Sequence, residues 1–593
     1  MPDIDPIELS EVELQKKGVK FTDFQKEMIN PMFQALRKKG TVFVGQGPTG
    51  MGKTYAIAAV TKALVADGKR VCIAVPSYTH LKEVMARHLE HVGVEYVVRR
   101  GLTALEKGEG CPLIGGNIPS PIFCSTKKDS KTGPHSEKCK EIMCTVRKEL
   151  LAAKDAKVVV TVFHKLISQP EMLKDFDVVI FDESHGLEPA LRHARVARVS
   201  KDDVDALRSF TNGQDEMFNE IGSSLDRLMN RTEIPVNYVE RKIIEPLKTI
   251  LPTVQESIQE REQNKQSINS GVISAFYSLE AAVRAIERAG SYTFVPHNGT
   301  VLAVPHNITF ATRQMRDLSK NLSVGLISAT IENVKFHAND SGFPYHTLAA
   351  PIQINGDRFV EWFKNRPIIG LIDGPVLRKD PKGGDFYSTA RQEANKVIAS
   401  ILPSFEYPGL ILCRSKEDAR SIAQYLKNVS EIKDRLLLFD SEDAAEDPDK
   451  IETNVNNQID AGKNIVLTTA SSRLWEGINL KHLRLLVIDA LPYASPQPYE
   501  KYEAQQWGSW RTSKTFRFMI RRVQQGIGRL MRTKDDPWGV VVVVDGRFTS
   551  QWNTIKPALP KHMISDDVTR FVPRERLKDE FESTVKRLAS IKK

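Results

Sequence analysis

The chain has 593 residues, of which 41% are hydrophobic and 27% charged, and this composition excludes a disordered polyampholyte. No stretch approaches the roughly 20 consecutive apolar residues of a membrane span, and the acidic start MPDIDPIELS lacks a secretory h-region. We therefore expect a cytoplasmic protein with no membrane partner. Lys and Arg outnumber Asp and Glu by 84 to 74, an excess that favours a polyanionic partner.

Short apolar runs alternate with stretches of helical periodicity, and they do so in two series. The first series begins with the strand before Gly47 and continues with runs at 71–77, 157–167, 177–183 and 324–330. The second series has its runs at 408–415, 464–470, 483–492 and 539–547. Such runs are typical of buried parallel strands. The sequence therefore predicts an α/β fold with two parallel sheets flanked by helices.

Two other segments have helical patterns of their own. From about Pro189 to Ala289 the chain shows helical spacing, many charges and no Val-rich strand. This pattern indicates a helical domain inserted between two strands of the first sheet. Near the C-terminal end, ERLKDEFESTVKRLASIKK predicts an amphipathic helix that faces solvent.

A phosphate-binding loop follows the first strand and opens a helix. Its glycines allow backbone N–H groups to surround phosphates, and the helix N-terminus adds positive potential. We expect Lys53 to reach the β- and γ-phosphates of ATP and Thr54 to ligate Mg²⁺. The loop consists of Gly47, Pro48, Thr49, Gly50, Met51, Gly52, Lys53 and Thr54.

An acidic motif, Asp182-Glu183-Ser184-His185, ends a buried strand and is similar to a DEAH box. Asp182, at the carboxyl end of a strand, is placed to hold Mg²⁺. Glu183 can orient and deprotonate an attacking water. We therefore predict that both carboxylates are catalytic.

A basic motif lies in the second series. It comprises Gln525, Gly528, Arg529 and Arg532. On a helix, Arg529 and Arg532 share one face, and we expect them to act as arginine fingers on the γ-phosphate. A solvated basic face is the alternative.

Together these motifs resemble those of a superfamily 2 helicase, over about residues 20–550. Phe24-Gln25 resembles an adenine-reading element, and Ser328-Ala329-Thr330 resembles the motif that couples hydrolysis to domain movement. The segment from Leu474 to Leu480, with Trp475, Glu476, Gly477 and Asn479, resembles the XPD/DinG branch, as do Leu491-Pro492-Tyr493, Pro496 and Pro498. Asn479 stands where that branch has an acid.

The resemblance implies two RecA-like lobes and an ATP-dependent 5′→3′ helicase on single-stranded DNA and forked duplexes. It also implies that Gln25 and Gly477 help to bind the nucleotide. The expected division is lobe 1 at 1–110, 145–189 and 290–332, a cysteine-bearing insertion at 111–144, a helical arch at 190–289 and lobe 2 at 333–593. DNA repair, replication and type IV CRISPR interference remain open as pathways, in the last case within a ribonucleoprotein complex.

Four of the six cysteines lie close together, while Cys72 and Cys413 lie elsewhere. Clustered thiols in a reducing compartment more often hold metal than form disulfides. The same family has a four-cysteine iron–sulfur domain in this interval, and thiolates suit such clusters. A 4Fe–4S cluster is therefore expected, with zinc and a metal-free vestigial domain as alternatives. Its ligands would be Cys111, Cys124, Cys139 and Cys144.

Basic residues concentrate around this insertion, as a strand-binding groove requires. Other classes predict different behaviour. An ATPase without a nucleic-acid partner would hydrolyse ATP independently of DNA, and a nuclease would need a domain for which the residues before Gln25 leave no room. An accessory nucleic-acid-binding subunit would have an inactive motor. An RNA-directed translocase would share the same ATPase core.

Overall fold

The structure is a computed structural model. It describes residues 4–47, 52–78, 80–101, 109, 144–193, 197–211, 215–229, 234–264, 266, 268–289, 292–297, 300–305, 317, 321–329, 331, 334, 337–338, 341–343, 352–353, 365–377, 386–439, 448–469, 474, 480–493, 513–530, 537–559 and 569–591.

The chain forms two compact units. The first consists mainly of Met1–Gly45 and Thr54–Ile352, and the second mainly of Gln353–Pro496 and Ala504–Lys593. Among the described residues, no helix combines the length and the apolarity that a membrane crossing requires.

The described residues of the first unit form ten strands. They are β1 (Val42–Gln46), β2 (Val71–Val75), β3 (Val97–Val98), β4 (Val158–Val162), β5 (Val178–Asp182), β6 (Ala197–Ser200), β7 (Tyr292–His297), β8 (Thr300–Pro305), β9 (Ser323–Ser328) and β10 (Ile352–Gln353). Its α-helices are α1 (Pro6–Lys16), α2 (Asp23–Leu36), α3 (Lys53–Ala66), α4 (Ala86–His91), α5 (Thr145–Asp155), α6 (Phe163–Ser168), α7 (Leu187–His193), α8 (Lys201–Arg208), α9 (Asp215–Met229), α10 (Val236–Val239), α11 (Glu245–Gln263) and α12 (Ser270–Ala289).

The main sheet of the first unit has the strand order β10-β1-β9-β5-β2-β4-β3. β2 pairs in parallel with β4 and β5, and β5 pairs in parallel with β9, with Asp182 opposite Ile327. Every residue of β2, β4, β5 and β9 is buried. Continuous Val and Ile runs form such strands because helices cover both faces of a parallel sheet. This sheet confirms the first predicted parallel series.

The interval between β5 and β9 has a core of its own. Phe218, Leu247 and Phe276, from α9, α11 and α12, are buried together with Val199 and Val301. β6 and β7 pair with β8 in a three-stranded antiparallel sheet. The sequence did not predict β6, because its four residues, Ala-Arg-Val-Ser, alternate in burial and contain only one branched apolar side chain.

The second unit holds the strands β11 (Ile368–Leu371), β12 (Gly409–Cys413), β13 (Leu436–Leu438), β14 (Ile465–Thr469), β15 (Leu485–Ile488), β16 (Val540–Val543) and β17 (Thr569–Val572). Its α-helices are α13 (Phe386–Ile401), α14 (Lys416–Leu426), α15 (Pro448–Asp460), α16 (Ser513–Ile527), α17 (Arg547–Ser550), α18 (Trp552–Ile555) and α19 (Arg574–Ala589).

These strands form one parallel sheet in the order β13-β14-β12-β15-β16-β11-β17. The two sheets together confirm the predicted α/β fold with two parallel-sheet lobes. The predicted C-terminal helix is α19, which is amphipathic: Leu577, Phe581 and Leu588 enter the core of this unit. Only its other face meets solvent, since burial of these three side chains ties the helix to the sheet.

Candidate functional site

The hydroxyl of Thr54 meets the carboxylate of Asp182 at one edge of the first sheet. Thr54 is the second residue of α3 and Asp182 the last of β5, so the carboxyl end of the strand faces the start of the helix. Thr54 Oγ1 donates to Asp182 Oδ2 over 3.2 Å, and Asp182 is 1% exposed. Hydroxyl and carboxylate oxygens are the hard ligands that Mg²⁺ prefers, so this pair fits the predicted ion.

The predicted phosphate loop is described at both of its ends. Gly47 directly follows β1. Gly52 has a φ of +75°, a conformation that glycine adopts without a steric penalty. Lys53 begins α3 and is 6% exposed. Pro48, Thr49, Gly50 and Met51 lie outside the described residues.

Glu183 has a left-handed backbone conformation, with φ +50° and ψ +46°. For a residue with a Cβ this conformation costs on the order of 1 kcal/mol or more, and such strain clusters at functional sites. The turn allows the Glu183 N–H to donate to Asp182 Oδ1 over 3.0 Å. The turn therefore ties the backbone of Glu183 to the carboxylate of Asp182.

Ser328 and His185 surround the carboxylate of Glu183. Ser328, the last residue of β9, donates to Glu183 Oε2 over 3.3 Å, and its hydroxyl lies 2.9 Å from His185 Nδ1. His185 Nδ1 also lies 3.3 Å from Glu183 Oε2. Because β9 and β5 are neighbours in the sheet, the motif at Ser328 touches the acidic motif directly, a contact between two segments that the sequence singled out separately.

His80 is a site residue that sequence reasoning missed. It begins the π-helical turn His80–Met85 after β2, and its Nε2 lies 3.0 Å from Asp182 Oδ2. The two residues are 102 positions apart, and a lone histidine after a strand gives no signal of this contact. Only its location beyond the carboxyl end of a buried parallel strand, where sites gather, could have suggested it.

Gln25 is buried and its carboxamide oxygen is part of a helix cap. Its Oε1 accepts the Thr22 N–H over 2.7 Å, while its own N–H donates to Thr22 Oγ1 over 3.3 Å. This reciprocal pair is a capping box at the start of α2. The cap fixes the orientation of the carboxamide.

The predicted basic motif lies at the end of α16. Arg529 is 7% exposed and sits in the 3₁₀ turn Gly528–Leu530, whose last carbonyl accepts Arg366 Nε over 2.8 Å. Gln525 is half-buried in the last turn of α16. Arg532 and Gly477 fall outside the described residues.

Cys144 is the described member of the predicted cysteine set. It is buried at the N-cap of α5. Cys111, Cys124 and Cys139 are outside the part of the chain that the structure describes. Within that part, no group of three or more His, Cys, Asp or Glu side chains is arranged to hold a metal ion.

The second sheet has buried charges at its carboxyl edge, and sequence reasoning missed them too. Asp489, directly after β15, accepts two hydrogen bonds from Arg391 of α13, one of 2.7 Å. Asp418 lies 3.8 Å from Arg391 and 3.3 Å from Arg414, which follows β12. Burial raises the pKa of Asp489 in spite of the guanidinium beside it. Polar residues at this edge of an α/β sheet mark the usual place of a ligand crevice.

Comparison with known proteins finds matches to both halves of the chain. Residues 398–565 match the helicase C-terminal domain, and residues 18–204 match the type III restriction enzyme res subunit. A probable ATP-dependent helicase of Methanocaldococcus jannaschii is 23% identical over 628 aligned positions, which cover 88% of this chain and 91% of that protein.

Solved structures extend the likeness over nearly the whole chain. An XPD helicase superimposes with a TM-score of 0.65 at 17% identity, covering 93% of this chain and 100% of the other. Xpd4 of S. tokodaii gives 0.60 at 14% identity, with coverage of 93% and 100%. At these identities the likeness shows a shared fold.

Proposed function

We propose that this chain, an XPD/DinG-like superfamily 2 helicase and therefore an ATP-hydrolysing enzyme, translocates 5′→3′ on single-stranded DNA and opens forked duplexes. The observation that carries the proposal is the contact of Thr54 with Asp182, next to the contact of Glu183 with Ser328. Both contacts join motifs that an ATP-driven motor needs: one that binds phosphate and one that responds to its hydrolysis.

Residues of the phosphate loop and of the acidic motif divide the work of hydrolysis. Thr54 and Asp182 would hold Mg²⁺, which supplies charge neutralisation at the phosphates. Lys53 binds the β- and γ-phosphates, and Glu183 orients the attacking water and accepts its proton. Gln25 reads the adenine edge. As the resemblance implies, Gly477 would contribute to nucleotide binding, Gln525 would help to orient the γ-phosphate, and Arg529 and Arg532 would stabilise its developing charge.

Ser328 is the residue that passes a change at Glu183 during hydrolysis on to β9. Its hydroxyl touches both Glu183 and His185, so a change in the hydrogen bonding of Glu183 on product formation alters the end of β9. Small changes at such a packed contact are amplified because neighbouring elements adopt discrete arrangements. We infer that this contact converts the state of the phosphate into movement along the strand.

Nucleic acid is the partner that the positive net charge favours. We propose DNA, with the 5′→3′ polarity that XPD/DinG resemblance implies. RNA as the track is the second candidate, because the same ATPase core serves both. An inactive accessory subunit is less well supported, since the acidic motif and the phosphate-loop helix are assembled against each other.

We further propose that Cys111, Cys124, Cys139 and Cys144 hold a 4Fe–4S cluster. The density of the four cysteines in the sequence supports this. Such a cluster would cross-link an insertion too small to bury a core of its own. A motor of this kind suits DNA repair, replication or a CRISPR ribonucleoprotein complex, and we propose a cytoplasmic location.

The test compares unwinding of duplexes with a 5′ tail, a 3′ tail and blunt ends, in DNA and in RNA. We expect ATP-dependent unwinding of the 5′-tailed DNA alone, and its loss in Lys53→Ala, because charge at the β- and γ-phosphates is no longer neutralised. Lys39→Ala removes an exposed lysine that lies outside the predicted site and serves as the matched control. Hydrolysis by Lys53→Ala at the wild-type rate would refute the proposed motor. Unwinding confined to RNA duplexes would show that the track is RNA and not DNA.

A further inference from the structure

Two side chains close together in sequence connect the magnesium-binding edge of the first unit to the neck of the cysteine-bearing insertion. We define the insertion neck as Arg99–Gly101, where the chain enters the insertion, and Cys144–Glu149, where it returns. The connecting residues are Tyr78 and His80, which follow β2. Ser77 Oγ accepts the His80 N–H over 3.2 Å at this point, and the turn continues as a π-helix. Single π turns occur often at functional sites.

His80 fixes the carboxylate of Asp182. A carboxylate accepts hydrogen bonds only, so the His80 Nε2 at 3.0 Å from Asp182 Oδ2 is the donor. The same oxygen accepts the Thr54 hydroxyl, and Oδ1 accepts the Glu183 N–H. Three donors, from α3, from the residue after β5 and from the turn after β2, therefore determine the orientation of the buried Asp182 carboxylate. Partners that orient a metal ligand in this way tune its affinity.

Tyr78 is attached to the insertion neck. Its hydroxyl oxygen accepts the backbone N–H of Gly101. The preceding residue, Arg100, donates from Nε to Glu149 over 2.7 Å and binds Glu109 through both terminal nitrogens over 2.8 Å. Glu149 lies on α5, one turn after Cys144. The entry and return segments are thus tied to each other, and Tyr78 is tied to both through Gly101.

The far end of α5 is also held in place. Arg70 donates to the carbonyls of Ala153 and Lys154 over 3.0 and 2.8 Å, and to that of Ala156 over 3.2 Å. Cations at a helix C-terminus satisfy the last carbonyls and favour the dipole. α5 is therefore held at the end opposite the neck.

We propose that Tyr78 and His80 are positioning residues that couple the cysteine-bearing insertion to Asp182, so that a strand bound at the insertion stimulates ATP hydrolysis. This inference rests on the proposed function. A nucleic-acid strand that shifts the insertion neck would move Gly101 and, with it, Tyr78. The movement of Tyr78 would change the hydrogen bond from His80 to Asp182. The coupling runs inside the first unit.

The first test uses Tyr78→Phe, which removes one hydroxyl acceptor and keeps the ring. The readout is the ratio of ATP turnover with single-stranded DNA to turnover without it. Tyr96→Phe is the matched control, because it also removes one tyrosine hydroxyl of the first unit, one that donates to Glu90 over 2.9 Å. We expect the ratio to fall severalfold in Tyr78→Phe and to stay at the wild-type value in Tyr96→Phe.

The second test compares His80→Ala with His80→Gln. Loss of the donor to Asp182 should raise the half-saturating Mg²⁺ concentration about tenfold, the lower end of the effect of removing a metal ligand's partner. His80→Gln keeps an N–H donor and should recover most of that affinity. Equal Mg²⁺ dependence in His80→Ala and wild type would overturn the role of His80, and a merely structural role would not be rescued by Gln.

The double variant Tyr78→Phe/His80→Ala, compared with each single variant, decides whether the two residues act together. If they form one link, the stimulation ratio in the double variant is no lower than in Tyr78→Phe. Losses that multiply would refute the link. A wild-type protein that no strand stimulates would instead contradict the proposed function, whereas a stimulated wild type with an equally stimulated Tyr78→Phe would contradict the coupling alone.

Discussion

Removing the charge of Asp489 should strongly destabilise the second unit. Asp489 is fully buried and Arg391 is 6% exposed, and the pair shares two hydrogen bonds. Asp489→Asn keeps the volume but leaves the guanidinium with Asp418 at 3.8 Å as its remaining carboxylate. Breaking a buried ion pair by removing one partner costs about 3–5 kcal/mol. For a unit of this size that lowers the melting midpoint by about 6–20 °C.

The chain itself provides the assay. All six tryptophans lie after residue 353, so thermal unfolding followed by tryptophan fluorescence reports on the second unit. Asp373→Asn is the matched control: Asp373 pairs with Arg574 over 3.2 Å, but the side chains are 49% and 36% exposed. Exposed pairs contribute about 0–1 kcal/mol. A midpoint shift for Asp489→Asn no larger than that for Asp373→Asn would refute the reasoning.

Four further predictions concern the motor. Glu183→Gln should bind ATP normally and stop turnover, because water is no longer deprotonated; wild-type turnover would contradict the assignment. Binding to single strands should weaken with salt, with a log–log slope of about −0.7 per phosphate contact, and a flat response would exclude nucleic acid. Arg529→Ala should slow turnover at unchanged ATP-free strand affinity; an equal loss of affinity would refute the finger role. Protein purified without oxygen should contain iron and acid-labile sulfide, and colourless, iron-free protein that still unwinds DNA would refute only the cluster.

The strands could be predicted because burial on both faces leaves an unbroken apolar run, as in VVIF before Asp182. The phosphate loop and the acidic motif could also be predicted, because the chemistry of each depends on residues that are neighbours in the sequence. Contacts between distant segments could not be predicted. His80 reaches Asp182 across 102 positions, and Arg391 reaches Asp489 across 98. Each is a single polar residue in an ordinary helix or turn until the fold supplies its partner.

The short strand β6 escaped prediction for a different reason. Its partner is β8, beyond the helices of the insertion. Local propensity in Ala197–Ser200 is weak, and it is the pairing that stabilises the strand. Strands of this kind are determined by tertiary context, which no window of sequence contains.

The strand order of the first sheet imposes an order on synthesis. β9 lies between β1 and β5, yet it leaves the ribosome after the whole interval between Asp182 and Ser328. Translation adds about 5–20 residues per second, so both neighbouring strand edges wait on the order of ten seconds for their partner. Unpaired edges of apolar strands are templates for aggregation. The helical insertion has its own core and can fold during this delay, while a nascent-chain chaperone would protect the half-built sheet.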